Sequence, residues 1–344
     1  MIMKRIYILM CLGVVLLFSS CGFSQVKKGQ ITYLEPVDSL CSIIGLPTIM
    51  KLFDGKLFLV DMFSGDSLIS VFDIKTKNSL ISFGRKGNGP EEFLHISNID
   101  FYRNKENQIE LLVFDSMRRK CISYNYSELL KNRILEGICM NIDKSIPNLY
   151  ELYKIDNGYI ATGRIEKCKY VKLSDSLKVI DFMGDYRPKP FKSVPNDLHR
   201  LANYGKTEFS LDKRRMAEIV YKASVLSLYD INLNNITKRW EYKIDELDYN
   251  VVDGSVVNNS VMGYLSAYVG NNYVYALYSG VPENINEIAT YGNEIHIFDN
   301  EGNMVDRIKI EKSAFSLVVD ESEGKIFTLC HIPETIVLIY DYKR

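Results

Sequence analysis

Residues 56–83 read KLFLVDMFSGDSLISVFDIKTKNSLISF and contain three short apolar runs separated by polar residues. The runs are rich in β-branched and aromatic residues, which favour strands, and the Asp, Gly, Asn and Lys residues between them favour turns. This pattern predicts three consecutive strands joined by short loops. The stretch therefore indicates an all-β fold built from meanders.

The same pattern returns along the rest of the chain, and six units are predicted in total. The later runs are Gln108–Phe114 and Cys121–Tyr126; Gly158–Thr162, Tyr170–Leu173 and Val179–Phe182; Met216–Tyr221, Val225–Tyr229 and Thr237–Lys243; Tyr273–Tyr278, Glu294–Phe298 and Met304–Ile310; Lys325–Cys330 and Thr335–Tyr340. Repeats of about 40–50 residues with four strands each are typical of β-propeller blades.

An Asp after an apolar and an aromatic residue marks the end of the third strand in four units. These landmarks are Val71-Phe72-Asp73, Leu228-Tyr229-Asp230, Ile297-Phe298-Asp299 and Ile339-Tyr340-Asp341, with a weaker echo at Leu173-Ser174-Asp175. Because Asp side chains bond to nearby backbone amides, we expect these residues to form turns.

The last unit ends at residues 341–344, directly after its third strand, which leaves an edge to be paired. Ile31-Thr32-Tyr33-Leu34 is a strand pattern without a partner in its own unit. We expect it to pair beside Thr335–Tyr340. The predicted fold is an all-β, six-bladed β-propeller of four-stranded antiparallel blades over residues 31–344, closed by an N-terminal strand in the last blade.

The N-terminus carries the pattern of an export signal. Lys4 and Arg5 precede an apolar run over residues 6–18, and Ser19-Ser20 stand directly before Cys21. The run is shorter than the roughly 20 residues of a membrane-spanning helix. We expect a signal peptide over residues 1–20 and lipidation of Cys21. Residues 21–30 would then tether the protein to the outer membrane, on its periplasmic side; plain secretion and an uncleaved anchor are the alternatives.

Composition argues against several classes of protein. Lys and Arg number 42 against 43 Asp and Glu, so no global charge attracts nucleic acid, and no nucleic-acid partner is predicted. No CxxC pair and no HxxxH spacing occurs, and a nucleophile elbow is also absent, which predicts no metal site, no cofactor and no catalytic set. The five cysteines after Cys21 are expected to be mainly buried thiols: Cys41, Cys121, Cys139, Cys168 and Cys330.

Residues 84–93 read GRKGNGPEEF. This segment resembles the G-x-x-G-x-G-P-x-E-F link between blades one and two of the six-bladed, NHL-like and TolB-like β-propeller lipoproteins, and residues 293–310 and 326–341 resemble the final blades of that family. The resemblance implies the fold and an envelope location, but no shared reaction. The glycine spacing fits neither a P-loop nor a dinucleotide fingerprint. We expect a tight blade crossover, with anion contact by Arg85 and Lys86 as the alternative.

Blade topology predicts where a ligand would bind. In such a blade, the link to the next blade and the loop between the second and third strands lie on one face, so these segments share a rim around the channel. A channel mouth of this kind is the default ligand pocket. The predicted rim residues are Asp61, Arg85, Lys86, Glu91, Asp115, Arg118, Arg119 and Arg164, together with the insertion at residues 280–292.

Two functions follow from this rim. Because several of its residues are cations, we expect a binding or scaffold propeller for an anionic or glycan-like ligand; an unidentified small molecule, a glycan or a protein would be the partner. The alternative is a metal-dependent hydrolase or lyase that uses Asp61 and Asp115 at the channel mouth. A solvated surface of salt bridges is the structural alternative for each rim residue.

Overall fold

The computed structural model describes residues 31–343 apart from 42, 44, 66, 134–135, 144–145, 147–148, 167, 233–234, 246–248, 251–254, 256–260 and 284–286. The predicted signal peptide, Cys21 and the tether lie outside the described residues. Within the described part, no helix has both the length and the apolar character needed to cross a bilayer.

Six blades of four antiparallel strands follow one another as blades 1 to 6, and blade 5 carries an additional fifth strand, so the predicted all-β propeller is confirmed. Two N-terminal strands, β1 (Thr32–Leu34) and β2 (Asp38–Leu40), precede blade 1, which consists of β3 (Ile49–Phe53), β4 (Lys56–Val60), β5 (Ile69–Asp73) and β6 (Ser79–Phe83). A short parallel ribbon of β7 (Arg85–Lys86) and β8 (Glu92–Phe93) leads to blade 2, which consists of β9 (Ile96–Arg103), β10 (Ile109–Asp115), β11 (Lys120–Asn125) and β12 (Gly137–Asn141).

The remaining blades continue in the same order. Blade 3 consists of β13 (Leu149–Ile155), β14 (Gly158–Gly163), β15 (Tyr170–Leu173) and β16 (Val179–Met183), and blade 4 of β17 (Gly205–Phe209), β18 (Arg215–Val220), β19 (Val225–Asn232) and β20 (Asn235–Lys243). Blade 5 consists of β21 (Val261–Val269), β22 (Val274–Pro282), β23 (Gly292–Phe298) and β24 (Met304–Ala314), and blade 6 of β25 (Ser316–Asp320), β26 (Lys325–Cys330) and β27 (Ile336–Asp341). The described helices are a π-helix at Glu128–Asn132, helix α1 (Asn196–Ala202) and a 3-10 helix at Glu287–Thr290.

An N-terminal strand closes the ring, but the prediction that residues 31–34 form this strand was wrong. β2 completes blade 6, since Asp38 lies opposite Ile339 and the strand runs antiparallel to β27. Residues 32–34 instead form β1, which pairs in parallel with β24 as a fifth strand of blade 5. The physical reason is burial: Leu40 is 6% exposed inside a cluster at the seam of blades 6 and 1, whereas Tyr33 is 76% exposed.

The first strand of each blade lies innermost, and hydrogen bonds join several of these strands to the next blade. The Asn98 side chain bonds both the N–H and the carbonyl of Leu152, linking blades 2 and 3. The Tyr153 hydroxyl donates to the carbonyl of Thr207 in blade 4 at 2.6 Å. These bonds satisfy buried polar groups, and they fix the inner strands that surround the channel.

Candidate functional site

A cavity of about 450 Å³ opens at the end of the channel where the inner strands begin. Blades 1 to 5 contribute to its wall through Ile49, Ile96, Glu151, Lys206 and Leu265, and Phe315 contributes from the link to blade 6. This is the face on which blade topology predicts the rim. The cavity volume lies within the range of small-molecule sites.

Glu151 is a buried carboxylic acid in this cavity wall. It lies on β13, is 8% exposed, and accepts a hydrogen bond of 3.0 Å from the Thr162 hydroxyl. Burial raises the pKa of Glu151 from 4.5 to about 7, although the nearby Lys206 ammonium acts in the opposite direction. Near neutral pH the group therefore exists in both protonation states, which allows it to donate or to accept a hydrogen bond.

Lys206 faces the same cavity from the inner strand of blade 4. Burial lowers the pKa of Lys206, and the Lys51 ammonium lowers it further, while Glu208 and Glu151 raise it. Lys51 itself forms an ion pair with Glu208, and these two residues come from the inner strands of blades 1 and 4. The channel wall therefore holds two lysines and two glutamates, of which one pair is already joined.

Three tyrosines form a continuous aromatic wall beside the two charged residues of the cavity. The rings of Tyr150 and Tyr204 meet edge to face with 5.6 Å between centroids, and Tyr204 and Tyr221 do so at the same distance. Tyr204 is half exposed, and all three residues line the cavity. Aromatic faces next to hydrogen-bonding groups suit a ligand that has both apolar and polar faces.

The predicted residues Asp61 and Asp115 organise the rim loops rather than line the cavity. Asp61 is 7% exposed and accepts hydrogen bonds from the backbone N–H groups of Leu46 and Phe63, at 2.7 and 2.8 Å. Asp115 is fully buried and accepts bonds from the N–H groups of Leu94 and Arg118, at 2.7 and 2.9 Å. Their carboxylates therefore hold the backbone of the rim loops in place.

The predicted cations fall into two groups. Arg118 and Arg119 have carbonyl partners, since Arg118 donates to Gly89 O at 2.6 Å and Arg119 donates to Asp143 O. The second group is exposed and consists of Arg85, Lys86 and Arg164. The predicted rim residue Glu91 is exposed as well. Arg164 lines a small pocket of about 70 Å³ that shares Tyr150 and Tyr204 with the main cavity.

Lys120 is a structural residue of the glycine-rich link that the sequence did not single out. It is 2% exposed and donates to the carbonyls of Pro90 and Glu92 at 2.7 and 2.6 Å, and its ammonium lies 5.2 Å from the centre of the Phe93 ring. Gly84 has φ +79°, a conformation that favours glycine. The link is thus held as a tight crossover, as predicted.

The insertion at residues 280–292 lies on the predicted rim and contributes Thr290 to the cavity wall. It extends from the end of β22 through the 3-10 helix to β23. Among the described residues, no three or more His, Cys, Asp or Glu side chains are grouped so that they could hold a metal ion.

Glu151, Lys206 and Tyr150 were missed because the inner strands were not predicted, whereas Tyr221 lies in the predicted run Met216–Tyr221 but was not assigned to a site. β13 and β17 carry charged residues inside short strands, and their burial arises only when the ring closes. The one signal in the sequence was the alternation of Leu149, Glu151 and Tyr153 with other residues ahead of a predicted strand.

Comparisons with solved structures agree with the fold. A protein of Bacteroides fragilis that is presumed to be exported superposes with a TM-score of 0.59 at 10% identity, covering 92% of this chain and 100% of that one. A member of the DUF4221 family from Bacteroides vulgatus gives 0.52 at 11% identity, covering 91% and 96%. The WD40 repeats of RRP9 give 0.52 at 7% identity, covering 91% and 100%. At these identities the likeness concerns the fold alone.

No curated protein shows significant similarity to the chain. The sequence profile of the family described as TolB-like 6-blade propeller-like matches residues 22–322, which is most of the chain. The match agrees with the six blades of the structure and with the resemblance of the glycine-rich link. The chain belongs to the TolB-like six-bladed propeller family.

Proposed function

We propose that this protein is an envelope lipoprotein that binds a polyhydroxylated, glycan-like ligand at the channel mouth without transforming it. One observation carries the proposal: the cavity at the channel mouth places the tyrosine wall directly beside Glu151, Lys206 and the Thr162 hydroxyl. Sugar rings present apolar C–H faces and polar edges. Tyrosine faces pack against the former, and charged or hydroxyl side chains bond the latter.

The location rests on separate support. The N-terminal pattern that ends at Cys21 is typical of a lipidated export signal, and a structural neighbour from Bacteroides fragilis is presumed to be exported. Cys21→Ser should release the protein from the membrane fraction or block its processing, which fractionation and mass spectrometry would measure. An unmodified Cys21 in the wild-type protein would contradict lipidation and leave the cavity proposal untouched.

Binding is tested by titrating oligosaccharides into two tyrosine variants and measuring their affinities by calorimetry. Tyr204→Ala removes a half-exposed ring from the cavity wall, and Tyr33→Ala removes a more exposed ring from β1, outside the residues that line the cavity. We expect Tyr204→Ala to weaken binding by at least tenfold, since the stacking of a nucleic-acid base on an aromatic side chain contributes about 1–3 kcal/mol and a sugar face packs on tyrosine in a similar way. Equal affinity of the two variants would overturn the proposed site.

The second candidate function is a hydrolase or lyase that uses the same cavity. The observation that favours it is the raised pKa of Glu151, about 7, which suits a general acid or base near neutral pH. Product formation from a bound oligosaccharide, abolished in Glu151→Gln, would establish catalysis. A stoichiometric divalent ion that is required for the reaction would identify the metal-dependent form of this activity.

A further inference from the structure

Lys206 stands out among the charged groups of the channel because no carboxylate neutralises it directly. Among the described residues its ammonium has neither a hydrogen bond nor an ion pair within 4.0 Å, although Lys51, Glu208 and Glu151 act on it at longer range. The side chain is only partly exposed and lines the cavity. A partly desolvated ammonium without a counter-ion is costly, and an anion beside it would reduce that cost.

The neighbouring carboxylates are poorly placed to fill this role. Glu208 is already engaged by Lys51 in an ion pair whose two side chains are 13% and 14% exposed. Glu151 accepts the Thr162 hydroxyl, and burial favours its neutral form. The cavity wall therefore presents the Lys206 side chain without a direct counter-ion, next to a carboxyl group whose neutral form can donate a hydrogen bond.

We propose that the ligand of the channel mouth is an acidic saccharide, whose carboxylate is received by Lys206 and Glu151 while its ring packs on Tyr150 and Tyr204. One carboxylate oxygen would accept from the Lys206 ammonium and the other from the protonated Glu151. This inference rests on the proposed function, because the tyrosine wall and the cavity are the same. It adds that the ligand carries a carboxylate, which a neutral sugar lacks.

A carboxylate fits this pair better than a neutral hydroxyl does. The Lys206 ammonium forms a charge-assisted hydrogen bond with any oxygen acceptor, and a carboxylate adds the attraction of an opposite charge. A neutral sugar would displace water from Lys206 without supplying an opposite charge. The wall therefore discriminates against neutral saccharides of the same shape, and the preference should decrease as salt concentration rises.

The test uses matched trisaccharides that differ only at carbon 6: galacturonate against galactose, and glucuronate against glucose. The soluble chain from residue 22 onward and its variants are titrated by calorimetry. We expect at least one acidic trisaccharide to bind at least tenfold more tightly than its neutral match. Lys206→Met should reduce that preference to less than threefold, and Lys206→Arg should retain it.

Two controls make the outcome decisive. Lys86→Met removes an exposed cation of the same rim and should leave the preference unchanged. Thermal melting checks that Lys206→Met is folded, which is expected because the variant removes a partly buried charge without a direct partner.

The possible failures are distinguishable. Binding of acidic and neutral trisaccharides with equal affinity would overturn the carboxylate inference and preserve the proposed function. A preference that survives in Lys206→Met would overturn the role of Lys206. If no acidic or neutral trisaccharide binds, both the inference and the proposed function are wrong.

Discussion

Lys51 and Glu208 form an ion pair through the central channel, between the inner strands of blades 1 and 4. In a ring of six blades these two blades lie opposite each other. The pair therefore connects the two halves of the propeller directly across the channel. The pair also lies next to Lys206, whose ammonium repels Lys51 and attracts Glu208.

The first prediction follows from that asymmetry. Glu208→Gln should destabilise the protein more than Lys51→Met does, by at least about 1 kcal/mol. After Lys51 is removed, Lys206 still faces Glu208, but after Glu208 is removed two ammonium groups face each other with little compensation. Urea unfolding measures both variants. Equal losses of unfolding free energy would show that Lys206 does not interact with the pair.

The second prediction concerns the dependence of stability on pH. The pKa of Glu151 in the folded protein, about 7, lies above its ordinary value of 4.5, so the folded state keeps a proton that the unfolded state releases between these values. The contribution of this group to stability is therefore present at pH 4 and is lost as the pH rises through 7. Gln does not titrate. The free energy of unfolding of Glu151→Gln should therefore rise, relative to that of the wild type, by up to roughly 3 kcal/mol between pH 5 and pH 8.

The measurement is urea unfolding of both proteins at pH 5 and pH 8. Glu91→Gln is the matched control, since Glu91 is exposed on the rim. A difference between Glu151→Gln and the wild type that does not change with pH would contradict the raised pKa.

The third prediction concerns closure of the ring. Leu40 packs with Leu329 and Val337 at the seam of blades 6 and 1. Leu40→Ala should cost about 2–4 kcal/mol, which is typical of such truncations in a packed core. Tyr33→Ala, on the exposed β1, should change stability by less than about 0.5 kcal/mol. If the two variants are equally stable in urea, β2 is not the strand that closes the propeller.

The fourth prediction separates the rim cations. The double variant Arg85→Gln, Lys86→Gln should leave the melting temperature unchanged, because both side chains are exposed. The double variant Arg118→Gln, Arg119→Gln should lower it by several degrees, because each arginine loses a backbone carbonyl partner. Weaker ligand binding by the first variant alone would support a direct role for the exposed pair. A drop in melting temperature for that variant would show that it is structural.

The outer strands could be predicted from the sequence, and the inner strands could not, for a physical reason. Strands such as Lys325–Cys330 pack between two blades on both faces and carry nearly continuous apolar residues. The inner strand Gly205–Phe209 reads GKTEF, which is the composition of a polar turn. Its glutamate is compensated by Lys51 from blade 1, a partner that is distant in sequence, and its lysine faces the cavity.

The candidate site was predicted at the level of topology only. The cavity opens where the inner strands begin, on the face where the rim was predicted. That a ligand binds there stays a prediction. The predicted residues are charged loop residues, and Asp115 illustrates why such residues do not line the cavity: its carboxylate binds one amide of its own loop and one of the loop before β9. A polar residue in a loop has backbone donors close by in sequence, and these compete with any ligand.

The arrangement of β1 and β2 has a mechanical consequence. A force applied to the chain before residue 31 would first load the three-residue parallel pairing of β1 with β24, and only afterwards the pairing of β2 with β27. Rupture of the first pairing would lengthen the chain by residues 32–36 while the propeller stays closed. Under a pull on the N-terminus, β1 would thus detach from the edge of blade 5 before any force reaches the seam of blades 6 and 1.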